Sequence, residues 1–452
     1  MKILFKIFPQ DSHFNATIPI ARRLQQLGCE VIYAAYEERR ASVESQGFQF
    51  HSQETDLLPR LVPPVPGSKQ PSALQLALYT FINRPRVIAD IIPSDGFDSL
   101  LQETRPDAVL VDSPYARYAV ALFKHRIPLG ILESMVRLDR RSGVPPLSSD
   151  FVPRPTKFAR AWSTLLWARY QAGLSAMQAL GMYPLPSRGH IAKVLLKNKT
   201  PNVSVNFRRY FHIGISSCPE YILSPREFDF PGEIEPNQFY IGPSVDLHRK
   251  ETGYDYFFHE RLQPFLEKRK AGIPLVYCSL GSAAWRYGRI ERFFHKAIEA
   301  ARGQRFSFVL TIGQELDLRI FRRLPDNVII FQRVPQLEIL KNSDAVITHG
   351  GMNTIAECIL LKVPMLVYPG SAELDQPGNA ARVVYHHVGL KGSLKNETSR
   401  GIRSKLQRLL HDPAYHRCVS ALADRITASS AYTRGAEILL EQLQAQPCNV
   451  LI

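Results

Sequence analysis

The chain has 452 residues, 45% of them hydrophobic and 21% charged. That length and balance allow two or three folded units and exclude a small module, a disordered chain or a fibrous repeat. Lys and Arg outnumber Asp and Glu by 56 to 41, a net charge of +15, which attracts nucleic acid, anionic lipid and phosphorylated small molecules alike.

The excess is local. Residues 151–219 contain no Asp or Glu, where proportional scatter would put about six, and they carry Arg154, Lys157, Arg160, Arg169, Arg188, Lys193, Lys197, Lys199, Arg208 and Arg209. Six cysteines (Cys29, Cys218, Cys278, Cys358, Cys418, Cys448) show no CxxC spacing. They read as core thiols of a reducing compartment, not as a zinc site or disulfide scaffold. The apolar start at residues 1–8 is too short for a secretory leader, and no run of 18 apolar residues occurs. A cytoplasmic location is expected, with peripheral attachment to the inner face of the membrane as a further option.

Taken in chain order, residues 2–8 predict a buried strand, 14–27 a helix ended by Gly28, and 30–35 a second strand. Residues 108–112 predict a strand, 115–125 a helix and 129–132 a strand. Strand and helix alternating through short connections means a parallel, doubly wound α/β sheet. Pro145, Pro146, Pro153 and Pro155 break the rhythm, and the basic block follows. Strands resume at 275–280, 306–311, 328–331, 345–348 and 365–368, with a helix around 289–301. Two doubly wound parallel-sheet domains facing a cleft are therefore expected, with a boundary near 232–250. The divisions are 1–243, 244–430 and a C-terminal helix or tail, 431–452, that packs back on the first domain. Ligands of open α/β sheets bind beyond the carboxyl ends of the strands.

Within the basic block, residues 158–180 predict a helix whose stripe of Trp162, Leu166, Tyr170, Leu174 and Met177 suits a core face. Trp167 lies roughly 140° around the helix from Trp162, near Arg160. A Trp beside cations without acids suits an anionic membrane interface. The alternative packs Trp167 on the first sheet and leaves the cations as a solvated face. No aromatic-interleaved or helix-turn-helix pattern points to nucleic acid.

The densest chemistry lies in residues 332–340 (QRVPQLEIL), 344–357 (DAVITHGGMNTIAE), 363–369 (VPMLVYP) and 373–380 (ELDQPGNA). The strand at 345–348 delivers His349 and two glycines to a helix opening near Asn353 and Thr354. Glycines let a ligand approach the backbone, and free N–H groups at a helix N-terminus hold phosphate. Each part also has a plainer reading: Thr354 and Glu357 fit a capping box, and Asp375 before Gln376-Pro fits an N-cap. In the first half, His13 follows the first strand and Asp112 ends the strand at 108–112. Alone, His13 reads as a polar loop residue and Asp112 as an N-cap.

These motifs resemble the family 1 glycosyltransferases, GT-B enzymes that use nucleotide sugars and include plant flavonoid and bacterial macrolide and carotenoid transferases. The likeness is dense from Arg333 to Asn379 and weaker over nearly the whole chain, through residues 276–282 (VYCSLGS) and 12–19 (SHFNATIP). The resemblance implies that His13 is the base, oriented by Asp112, and that the donor is a UDP-sugar. It places Gln336 and Glu357 on the ribose, and His349, Asn353 and Thr354 on the diphosphate. Asp375 and Gln376 fall to the sugar hydroxyls, and Ser282 lies near the phosphates. Two positions depart from the pattern: Arg333 stands where a Trp stacks on uracil, and Gly351-Met352 replaces an aromatic. A guanidinium can also stack on a planar base. The backbone of Gly351 would make the phosphate contact.

No Asp-x-Asp occurs, so neither a metal nor a further cofactor is expected, and direct displacement would invert the anomeric carbon. The expected partners are a nucleotide sugar, a small lipophilic hydroxyl acceptor such as a carotenoid, sterol, polyketide or phenolic, and an anionic membrane surface through residues 151–219. Competing readings are a lipid-linked-sugar transferase of the cell envelope, a sugar-nucleotide epimerase and a non-catalytic nucleotide-sugar-binding regulator.

Overall fold

The computed structural model describes residues 1–53, 96–179, 203–206, 209–210, 212–249, 251, 253–281, 284–287, 290–371 and 374–446. The strands are β1 (Lys2–Lys6), β2 (Glu30–Ala35), β3 (Gln49–Ser52), β4 (Ala108–Asp112), β5 (Leu129–Glu133), β6 (Val205–Asn206), β7 (Gly214–Ile215), β8 (Glu220–Ile222), β9 (Gln238–Tyr240), β10 (Leu275–Ser279), β11 (Ser307–Thr311), β12 (Val328–Phe331), β13 (Ala345–Thr348), β14 (Met365–Val367) and β15 (Gly389–Lys391).

Seven of them form one parallel sheet in the order β3-β2-β1-β4-β5-β8-β9, and six form a second in the order β12-β11-β10-β13-β14-β15. Strands with helices on both faces must be apolar throughout, which is why they read as continuous runs. Ile3, Leu4, Phe5, Ala345, Val346 and Ile347 are fully buried.

Strand order reverses between β1 and β4 in the first sheet and between β10 and β13 in the second. At such a switch point the connections leave in opposite directions and open a crevice at the carboxyl ends. His13 follows β1 and Asp112 ends β4; Gly281 follows β10 and His349 follows β13. Both pairs of chemically informative residues thus stand at crevices that the strand order creates.

The helix Ser430–Ala445 lies against the helix Asp11–Gln26 and β9, burying Ala436, Leu439 and Leu443 among Ile3, Phe5 and Ile20 of the first sheet's core. Gln446 fixes its end, with Nε2 donating to Leu129 O and Oε1 accepting from Leu129 N.

The helix Lys157–Ala179 corrects the expected orientation. Trp167 is 2% exposed, and its indole N–H donates to Val144 O at 2.8 Å. Trp162, assigned to the core stripe, is 41% exposed, and Met177 is exposed as well. Tyr170 of that stripe packs on the core beside Trp167 and Tyr210, and Leu166 and Leu174 are half-buried, so the stripe is partly kept; the Val144 carbonyl and the Tyr210 ring turn the helix so that Trp167 is buried and Trp162 is not. Trp167 is therefore unavailable to a membrane. Nor is the basic block free of acids in space: Arg209 is buried and bonded to Glu220 from β8. Arg188, Lys193, Lys197, Lys199 and Arg208 lie outside the described residues.

Candidate functional site

The Asp112 carboxylate accepts from His13 Nδ1 at 2.7 Å and from the backbone N–H of Phe8 at 3.0 Å, and it is nearly fully buried. Asp112 makes no side-chain cap bond to the turn that follows, so its carboxylate serves His13 instead. Ser134 Oγ, just past β5, lies 3.3 Å from the same imidazole nitrogen. With Nδ1–H held by Asp112, Nε2 carries the lone pair. Burial disfavours the imidazolium, but the charge and hydrogen bond of Asp112, with Asp375 across the cleft, outweigh it and raise the His13 pKa above its ordinary value.

The opposite wall begins at His349. Its imidazole fits because two neighbours lack side chains: a Cβ on Gly281 would stand 2.7 Å from the ring, and one on Gly351 2.6 Å from Nε2. Gly281 also has φ +83°, the left-handed region. Burial pushes the His349 pKa down to about 4, so the ring is neutral. Among the described residues its buried Nδ1 has no hydrogen-bond partner. A neutral imidazole with an unsatisfied nitrogen, at the mouth of a strand-to-helix turn, is suited to a polar ligand.

The helix Met352–Leu360 starts here, with Gly351 as its N-cap and no side-chain cap bond. Thr354 is thus inside the helix and is not its N-cap, so the capping-box reading of Thr354 and Glu357 does not apply. Thr354 Oγ1 instead accepts from Gln336 Nε2 at 3.3 Å. Asn353 Nδ2 donates to Ser12 O at 2.7 Å, which joins this helix to the residue preceding His13.

Glu357 is 2% exposed. Its Oε2 accepts from Gln336 Nε2 at 2.7 Å, and its Oε1 is paired with Arg249 at 2.5 Å. Burial dominates and raises its pKa, against the opposing pull of Arg249 and Gln336. Arg333 is exposed on the loop after β12, its backbone N–H bonded to Asp255 and its guanidinium beside Gly253.

Asp375 precedes the helix Gln376–Tyr385 and makes no side-chain cap bond to it; its carboxylate accepts from Asn379 Nδ2 at 2.7 Å. Burial, opposed by Asn379 and His13, raises its pKa. The Gln376 amide is already engaged: Oε1 accepts from the Gly370 and Ser371 N–H groups, and Nε2 donates to Tyr287 Oη at 2.9 Å. Gln376, 3% exposed, therefore shapes the loop after β14. Ser282 lies outside the described residues.

The structure thus brings His13 and Asp112 together, sets Asp375 close enough to His13 to act on its charge, and links Gln336, Thr354 and Glu357. Three contributors escaped sequence reasoning. Arg249 comes from the segment between the sheets, Tyr287 from a short turn after β10, and Ser134 from the end of β5. Of these, Ser134 alone had a signal, its place directly after a predicted strand.

The family model described as erythromycin biosynthesis protein CIII-like, C-terminal domain, matches residues 307–446. The NDP-glycosyltransferase YjiC of Bacillus licheniformis is 30% identical over 50% of this chain and 52% of its own length. The uncharacterized UDP-glucosyltransferase YdhE of Bacillus subtilis is 26% identical over 91% of each chain. The zeaxanthin glucosyltransferase of Pantoea ananas is 24% identical over 95% of this chain and 93% of its own. Among solved structures, the glycotransferase of kitacinnamycin superposes over 98% of both chains with TM-score 0.67 and 21% identity. The glycosyltransferase VinC in complex with dTDP does so over 99% of both, with TM-score 0.63 and 18% identity. Two parallel sheets with facing switch points, a glycine-lined strand-to-helix turn in the second and these likenesses lead to one conclusion: the chain has the GT-B fold and is similar to nucleotide-sugar glycosyltransferases of family 1.

Proposed function

We propose that the protein transfers a hexose, glucose in the first instance, from a UDP-sugar to a hydroxyl of a small lipophilic acceptor, inverting the anomeric carbon without a metal ion. The observation that carries this reading is the His13–Asp112 pair, joined across the cleft to the Met352–Leu360 helix through Asn353 and Ser12. His13 Nε2 removes the acceptor proton as its oxygen attacks the anomeric carbon, and Asp112 stabilises the imidazolium that forms. The C–O bond to the diphosphate breaks as the new glycosidic bond forms, and UDP departs with the electron pair. Its added charge meets the N–H groups at the start of the Met352–Leu360 helix and the neutral His349. Gln336 and Glu357 hold the ribose, and Asp375 the sugar hydroxyls. The likeness to the zeaxanthin glucosyltransferase and to YdhE, described as a UDP-glucosyltransferase, supports glucose, and the likeness to YdhE supports uridine.

The test is His13→Ala with calorimetric titration of UDP. Binding should be unchanged while turnover falls by about 100-fold or more; full activity in this variant overturns the mechanism. Release of UDP without any acceptor would favour an epimerase, and UDP binding without turnover in the native protein a regulator.

A second observation bears on where the enzyme works. Opposite Trp167, the helix Lys157–Ala179 presents Phe158 (74% exposed), Trp162 and Leu165 on one face, with exposed Arg154, Lys157, Arg160 and Arg169 around it. Aromatic and apolar groups flanked by cations fit the interface of an anionic bilayer, a natural source of lipophilic acceptors. Sedimentation with vesicles containing phosphatidylglycerol should deplete the protein, and Phe158→Ser/Trp162→Ser should abolish this. Equal binding to neutral and anionic vesicles would overturn the assignment.

A further inference from the structure

The segment between the sheets is more than a tether. Asp246 pairs with Arg22 of the helix Asp11–Gln26, and Lys341 Nζ donates to Leu247 O. Three residues after Asp246, Arg249 reaches into the second domain. Its Nη1 bonds Glu357 and its Nη2 bonds Glu251 Oε1 at 2.8 Å, while Glu251 Oε2 accepts from Leu337 N–H at 2.8 Å. Arg249 and Glu251 are both mostly buried.

This arrangement has a specific consequence for Glu357. Its described neighbours are Arg249 and Glu251 from the linker and Gln336, the first residue of the helix Gln336–Lys341, whose amide also bonds Thr354 of the Glu357 helix. Arg249 is the one cation among them, facing two carboxylates. A buried carboxylate without a cation gives up its charge by taking a proton. A protonated Glu357 would lose acceptor strength toward a ribose hydroxyl, because hydrogen bonds to an ionised acceptor are the stronger ones.

We propose that Arg249 is a positioning residue for the donor: it holds Glu357 ionised and oriented so that the carboxylate can bind the ribose. The inference rests on the assignment of Glu357 to the ribose made above. It gives the linker a part in nucleotide recognition, since the arginine that completes the ribose subsite arrives from outside the second sheet.

The experiment compares Arg249→Met, Arg249→Lys and Glu357→Ala in the full chain, by calorimetric titration of UDP and by steady-state kinetics between pH 6 and 8.5. Arg249→Met should raise Kd for UDP and KM for the nucleotide sugar about tenfold at pH 6.5, with kcat within about twofold. The defect should shrink as pH rises and Glu357 ionises without its partner. Arg249→Lys, which keeps the charge, should restore most of the affinity. Unchanged UDP affinity in Arg249→Met, alongside weakened affinity in Glu357→Ala, would overturn the role of Arg249 and leave the ribose assignment standing. Unchanged affinity in both would overturn the ribose assignment and this inference with it. A loss in Arg249→Met that is equal at every pH and not relieved by lysine would mark Arg249 as merely structural and overturn the proposal.

Discussion

At the residue scale, the proposed base, His13, is defined by what surrounds it. Burial opposes the His13 imidazolium, yet Asp112 and Asp375 outweigh burial and raise its pKa. A base must be neutral to accept a proton, so kcat/KM should fall as pH drops through that raised pKa, giving an acid limb above the ordinary histidine value. Asp112→Asn removes the largest raising contribution and the hydrogen bond that fixes the tautomer. The acid limb should then move to lower pH while kcat falls by about 10²–10⁴-fold; a pH–rate profile checks both, and an unmoved limb would show that another group titrates. His13 and Asp112 were legible as candidates because each ends or follows an apolar run that had to be a strand. Arg249 was not legible, because its importance comes from a carboxylate 108 residues away that no local pattern connects to it.

At the element scale, the strand-to-helix turn after β13 is a packing problem around one imidazole. Gly351 has an ordinary helix N-cap conformation, so glycine is needed there for space and not for backbone freedom. A methyl group at Gly351 would meet His349 Nε2 at 2.6 Å, and His349, wedged also against Gly281, has little room to yield. Gly351→Ala should therefore raise KM for the nucleotide sugar about tenfold or more while shifting the melting temperature little. A melting scan beside the kinetics distinguishes displacement of His349 from loss of the fold. The same scale shows where sequence reading succeeds and where it stops. Parallel strands buried on both faces appear as unbroken apolar runs, so β1, β4, β10, β11 and β13 could be placed within a few residues. The helix Lys157–Ala179 defeats that logic because Trp162 and Trp167 lie on opposite faces of one apolar helix, and a tertiary hydrogen bond to Val144 decides which is buried.

At the scale of the molecule, a buried charge cluster fastens the second domain to the first. Asp229, after β8, accepts from Arg382 Nη2 at 2.7 Å and Nε at 3.0 Å, from Arg141 Nη2 at 3.0 Å and from Tyr240 Oη at 3.0 Å, with Arg137 Nε at 3.4 Å. Arg382 belongs to the helix Gln376–Tyr385, whose first turn follows Asp375 and which is also held by the Gly378 N–H donating to Leu147 O at 2.8 Å. Burial works against the Asp229 charge, but Arg382 and Arg141 outweigh it and hold the pKa far below the carboxylate range. A depressed carboxylate pKa contributes stability above the unfolded-state value and loses it as pH falls through the folded-state value, so the cluster is intact across the neutral range. The two halves of the contact are not equivalent. Arg382→Met leaves Asp229 with Arg141, Arg137 and Tyr240, whereas Asp229→Asn leaves Arg382 buried, with Gly378 O at 3.0 Å as its remaining charge-independent acceptor, and weakens Arg141 and Arg137 as well. Asp229→Asn should therefore cost about 3–5 kcal/mol and Arg382→Met distinctly less, although both cut the same bond. Denaturant titrations of the two variants measure the difference, and equal losses would mean that the guanidinium bonds other than those of Arg382 contribute nothing. Because the loosened helix follows Asp375, proposed above to bind the sugar hydroxyls, Asp229→Asn should also raise KM for the nucleotide sugar more than Arg382→Met does.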